Sequence, residues 1–155
     1  MLLSTDMTDL LALFRQHNVR YVLVGGHAVN YYGYVRTTQD IDLLVFPSPE
    51  NARRIMAVLS DFGFGGAGIP RELFERKGGA VHLGTEPNRI DILTSLKGVS
   101  NNKIFACAQV VDIDGTTVNI ISLEHLVEVK RSSGRPRDLA DADELSKINN
   151  TGSGD

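Results

Sequence analysis

VGGHAVNYYGYVRTTQDIDLLV, residues 24–45, is the stretch whose reading decides the fold. The β-rich run at 19–24 stops at Gly25–Gly26, and residues 27–34 then read as one or two helical turns. Residues 40–46, DIDLLVF, read as a second strand that opens on two acids and continues apolar. Upstream, residues 5–17 read as a helix with Leu10, Leu11 and Phe14 on one face. Downstream, Ser48, Pro49 and Glu50 form a helix start of cap, first-turn proline and first-turn acid, and Ala52, Ile55, Met56 and Leu59 carry the helix to about Asp61. A short helix over 70–77 and strands over 80–83 and 89–93 follow, the strands joined through Pro87 and Asn88. Asp114–Gly115 marks a hairpin within 110–121. Ser122 caps a helix that Gly134 and Pro136 break, and residues 137–148 form the last helix. The expected fold is therefore α/β (α+β), a small mixed sheet flanked by helices with a C-terminal helical portion. Residues 1–148 form one domain and 149–155 (NNTGSGD) a flexible tail.

Composition narrows the function. The chain has 155 residues, 42% of them apolar and 23% charged, enough for one packed core. A formal charge of −3 argues against a broad nucleic-acid-coating surface. No apolar run reaches the roughly 20 residues of a membrane span, and the N-terminus lacks a basic signal-peptide region. Cys107 is the only cysteine, so an intramolecular disulfide and a multi-cysteine zinc site are excluded; it reads as a small buried hydrophobe. The expected location is cytoplasmic, with no membrane partner.

In a strand, residues two apart share a face, so Asp40 and Asp42 present two carboxylates side by side. Adjacent carboxylates repel, and a divalent ion with oxygen ligands relieves that repulsion. Mg2+, or Mn2+ in its place, keeps coordination positions open for substrate phosphates. Without a Cβ, Gly25 and Gly26 let a phosphate approach the backbone, and the amides opening the next helix favour an anion. Asp91, within RIDIL (89–93), supplies a third acid if its strand lies beside the first pair; otherwise it pairs with Arg89. Such a triad can hold two metal ions, one activating an attacking hydroxyl and one binding a triphosphate.

These motifs resemble the nucleotidyltransferase superfamily that includes DNA polymerase beta and kanamycin nucleotidyltransferase. Val24, Gly25 and Gly26, thirteen intervening residues, then Asp40, Ile41, Asp42 and Leu43 follow its pattern, and Asp91 matches its third acid. The chain is most similar to the small bacterial AbiEii-type toxin nucleotidyltransferases, through Gly25, Gly26, Ala28, Arg36 and Thr38. The C-terminal Lys130, Arg135, Arg137, Asp138, Leu139 and Asp141 extend the likeness. Members with serine at the second glycine position use its hydroxyl on phosphate; Gly26 offers only its backbone.

The resemblance implies transfer of a nucleoside monophosphate from a triphosphate such as ATP to a hydroxyl acceptor: an RNA end such as tRNA, a protein or a small molecule. Asp40, Asp42 and Asp91 are the expected catalytic and metal-binding residues. Gly25, Gly26, Arg36, Thr38 and Lys130 are the expected nucleotide contacts. Asp138 and Asp141 are expected to fix the last helix. A second reading is a catalytically silent fold bound to an antitoxin-like partner, and a third is a glycosyltransferase using Asp-x-Asp. His27 is read as filling a helix start, His82 as a less favoured metal ligand, and Tyr31, Tyr32 and Tyr34 as a core edge. GFGGAG (63–68) follows a helix rather than a strand, so it is read as a mobile loop and not a dinucleotide fingerprint.

Overall fold

A computed structural model describes residues 3–35, 37, 40–65, 68–85 and 88–153. The chain order is α1 (Thr5–Gln16), β1 (Tyr21–Val24), α2 (Gly25–Tyr31), β2 (Ile41–Val45), α3 (Pro49–Asp61) and a 3-10 turn (Arg71–Phe74). It continues with β3 (Ala80–Leu83), β4 (Ile90–Leu93), α4 (Asn101–Cys107), β5 (Gln109–Ile113), β6 (Thr116–Ile120), α5 (Leu123–Ser133) and α6 (Pro136–Ser153). The six strands form one mixed sheet in the order β3-β4-β2-β1-β6-β5. β1 runs antiparallel to β2 and parallel to β6; β2 runs parallel to β4. β1 is buried at every position, so helices cover both faces of the sheet centre.

Local chemistry sets the element boundaries. Ser4, Ser48, Ser100 and Ser122 each accept a backbone N–H at a helix start, satisfying one otherwise orphaned donor. Gly134 ends α5 in the left-handed region at φ 71°, where a Cβ would be strained. Asp114 and Gly115, at φ 50° and 89°, form the hairpin turn expected between β5 and β6.

Several expectations shift. The short helix expected over 70–77 is a four-residue 3-10 turn. α4 was not foreseen; seven residues hold too little periodicity to stand out, and its signal is the Ser100 cap. The last helix starts at Pro136, where a missing N–H costs nothing, and runs through Ser153 instead of stopping at Ile148. Each added residue of a nucleated helix gains a hydrogen bond, which carries it across weak formers such as Asn149. Cys107 is exposed, not buried: α4 buries Asn101 and Ile104, and by Cys107 that face has rotated away. Tyr32 and Tyr34 do pack at the core edge, and the Tyr32 hydroxyl donates to the Ile121 carbonyl at 2.6 Å.

Candidate active site

The end of β1 meets the starts of β2 and β4. Gly25 takes φ 70° to turn the chain from β1 into α2, and a Cβ there would overlap the Asp42 carboxylate. The glycine is thus required twice, by its backbone angle and by the acid it touches.

β2 and β4 align in parallel with Asp42 directly opposite Asp91. β4 is flanked by β2 and β3, so Asp91 lies inside the sheet and not on an edge strand. Asp40 precedes β2 by one residue, and the Ile41 N–H donates to the Arg89 carbonyl at 3.0 Å, which extends the ladder. The three expected acids therefore meet at one end of neighbouring strands.

Arg89 ties two of them together. Its Nη2 lies 3.2 Å from Asp40 Oδ2 and 3.2 Å from Asp91 Oδ2, and its Nε donates to Asp91 Oδ1 at 3.0 Å. His82, opposite Asp91 across the β3–β4 ladder, places Nδ1 2.6 Å from Asp91 Oδ1. Burial works to raise the Asp91 pKa, but the His82 and Arg89 hydrogen bonds outweigh it and hold the carboxyl below its ordinary value. Asp42 is the reverse case. Burial first, then the charge of Asp91 and a hydrogen bond to it, push Asp42 up to about 7, against the pull of Lys130. Asp40 Oδ1 is buried and has no hydrogen-bond partner among the described residues.

Lys130 is buried on α5 and its charge acts on Asp42. Its Nζ is 3.1 Å from Asp138 Oδ1 and 3.2 Å from Asp141 Oδ2, both on α6. Asp138 also accepts from Ser133 at 2.6 Å and from Arg135 at 3.0 Å. Asp138 and Asp141 thus fix the last helix, through the lysine as much as through the helix dipole. His27 fills the start of α2, and neither ring nitrogen has a hydrogen-bond partner among the described residues. Burial lowers its pKa while Asp40 opposes the shift. Gly26 is half-buried at the start of α2. Arg36 and Thr38 lie outside the described residues, as do Pro87 and part of the 63–68 segment.

The donor chemistry suits a hard divalent ion: all three carboxylates offer oxygen, Asp40 Oδ1 lacks a hydrogen-bond partner among the described residues, and burial followed by the charge of Asp91 raises the Asp42 carboxyl. Among the described residues, however, no three His, Cys, Asp or Glu side chains form a ready ligand set, and Arg89 bridges Asp40 and Asp91. Sequence reasoning gave Arg89 only to Asp91 and favoured neither Arg89 nor His82 as part of the site. The Arg-x-Asp spacing, which puts both side chains on one strand face, was the available signal. A cavity of about 450 Å3 lies elsewhere, lined by Arg15, Arg20, Tyr21, Phe105, Gln109 and Asn119, toward the opposite end of β1 from these acids.

A glycine turn packed on one acid of a strand pair, with a third acid in register beside it, defines a nucleotidyltransferase fold. The chain belongs to the family described as "Nucleotidyl transferase of unknown function (DUF2204)", whose model matches residues 3–154. Solved structures agree on the fold. A nucleotidyltransferase from Thermotoga maritima matches with TM-score 0.60 at 16% identity, over 94% of this chain and 91% of that one. The lincosamide antibiotic adenylyltransferase LnuA, solved with lincomycin bound, matches with TM-score 0.58 at 15% identity, over 95% and 98%. The antibiotic-resistance factor ANT(2'')-Ia matches with TM-score 0.55 at 13% identity, over 97% and 90%. No curated protein is similar to the chain in sequence. No helix among the described residues is long and apolar enough to cross a membrane.

Proposed function

We propose that the chain transfers a nucleoside monophosphate from a nucleoside triphosphate to a hydroxyl acceptor, releasing pyrophosphate, with Mg2+ or Mn2+ at Asp40, Asp42 and Asp91. The observation that carries this reading is the parallel register that sets Asp42 against Asp91, with Gly25 letting the glycine turn pack directly on the Asp42 carboxylate. When bound, the metal supplies charge neutralisation for the polyphosphate and lowers the pKa of a coordinated hydroxyl. Gly25 and Gly26 hold the β- and γ-phosphates through backbone amides, and Arg36 and Thr38 are further phosphate contacts. Lys130, buried and paired, acts on the nucleotide through the field it exerts on Asp42. Catalysis then depends on in-line positioning and fixed charge, with no covalent step on the protein.

A small-molecule hydroxyl is the acceptor to test first, since LnuA with bound lincomycin and an ANT(2'')-Ia complex with adenylyl-2''-tobramycin share the fold over nearly the same length. RNA ends, including tRNA, and protein side chains are the other candidates. The test is label transfer from α-32P triphosphates with Mg2+ over these acceptors, repeated with Asp40→Ala and Asp42→Asn. Both variants are expected to lose transfer, and transfer surviving in either would exclude the mechanism.

One observation favours a second reading, a catalytically silent fold serving an antitoxin-like partner: the Arg89 bridges leave no ready three-residue ligand set among the described residues. Calorimetry separates the two, because a silent fold gives no Mg2+-dependent heat with a triphosphate.

A further inference from the structure

We propose that Arg89 is a resident cation of the site, standing between Asp40 and Asp91 so that the three carboxylates take up one divalent ion and not two; this rests on the metal-dependent reading above. Arg89 reaches both acids from a single nitrogen, with Nη2 at 3.2 Å from each, while Nε makes a second bond to Asp91. A guanidinium in that bridging position fills the role of an ion shared between two carboxylates: it divides one positive charge between them and its rigid fork sets their separation. It is also in place before any ligand arrives, because β4 carries Arg89 one residue before its start and the Ile41–Arg89 backbone bond pins that residue to β2.

The oxygens left over tell the same story. Asp91 is the most heavily engaged of the three acids, with Oδ1 held by His82 and Arg89 and Oδ2 by Arg89. Asp40 turns Oδ2 to Arg89 and leaves Oδ1 buried without a partner among the described residues. Asp42 packs its carboxylate against Gly25 across the turn and shares a hydrogen bond with Asp91. Asp40 Oδ1 and the Asp42 carboxylate are therefore the oxygens assigned to the divalent ion. Three ionised carboxylates and one guanidinium leave two negative charges, which a single divalent cation balances. Arg89 is a positioning residue in this scheme.

The experiment is a titration of metal-free protein with Mn2+ alone, counting bound ions by the loss of the free-ion electron paramagnetic resonance signal. The unsubstituted protein is expected to bind one Mn2+ per chain. Arg89→Ala and Arg89→Gln are expected to bind two, the second lost again when Asp91→Asn is added. Two ions in the unsubstituted protein overturn the proposal and leave the metal-dependent reading standing. A single ion in the Arg89 variants also overturns it. No ion in any form overturns both. If neither Arg89 variant folds, the count for the unsubstituted chain decides alone.

Discussion

Asp42 is the residue at which burial and charge conflict most directly. Its folded pKa, about 7, lies above the ordinary carboxyl value of 3.8, so the native state holds a proton that the unfolded chain releases. That contribution to stability is fully present below about pH 4, is lost as pH rises through about 7, and stays lost above it. Metal-free Asp42→Asn, which carries no charge at any pH, is expected to be more stable than the parent at pH 8 by about 1–3 kcal/mol. The gap should close by pH 4, as read by urea unfolding in EDTA at both pH values. Mg2+ at pH 8 should raise the melting temperature of the parent and leave that of the variant unmoved. Gly25 gives a second residue-level prediction. Gly25→Ala forces a left-handed angle that costs roughly 1–2 kcal/mol and drives a methyl into the Asp42 carboxylate. It is expected to lower both the unfolding midpoint and label transfer. An alanine variant with full stability and activity would show that the turn tolerates a side chain.

At the level of elements, α5 and α6 are joined by the ion cluster around Lys130. Removing one partner of a buried pair is more damaging than the pair is stabilising, because the remaining charges stay buried. Lys130→Met is expected to destabilise the protein by about 3–5 kcal/mol, since Asp141 is 2% exposed and Asp138 8%. Lys130→Met with Asp141→Asn should recover part of that loss, a coupling that a double-mutant cycle in urea measures. The elements also show what a sequence makes legible. Ser48-Pro49-Glu50 and Asp114-Gly115 carry their signals in adjacent residues, and α3 and the β5–β6 hairpin form where those signals place them. α4 rests on a serine cap and two buried residues, too short a pattern to read. The acids at 40, 42 and 91 were legible as chemistry. That β2 and β4 are neighbours in register was not, because strand order is set by tertiary packing. The Arg89 bridge to Asp40 follows from that same adjacency, so it was hidden with it.

Across the whole molecule, the site occupies the better-knit half of the sheet. β2 pairs with β1 and with β4 at four positions each, and nearly all those residues are buried. The β5–β6 hairpin joins this half by one register pair, Leu23 with Ile120, and by the Ile121 N–H donating to the Leu23 carbonyl at 3.1 Å. β5 itself is an edge strand whose first two residues are exposed. Local opening free energy follows buried contact and ladder continuity, so the hairpin should open without the rest. Amide hydrogen exchange is expected to be slowest in β1, β2 and β4 and at least about tenfold faster in β5 under native conditions, a difference of about 1.4 kcal/mol in opening free energy. Added Mn2+ should slow exchange further at the Asp42 and Asp91 ends of β2 and β4 and leave β5 unchanged, because binding stabilises only the unit that holds the ligand. Equal protection across all strands would mean that the sheet opens as one body and that its two halves differ in pairing but not in stability.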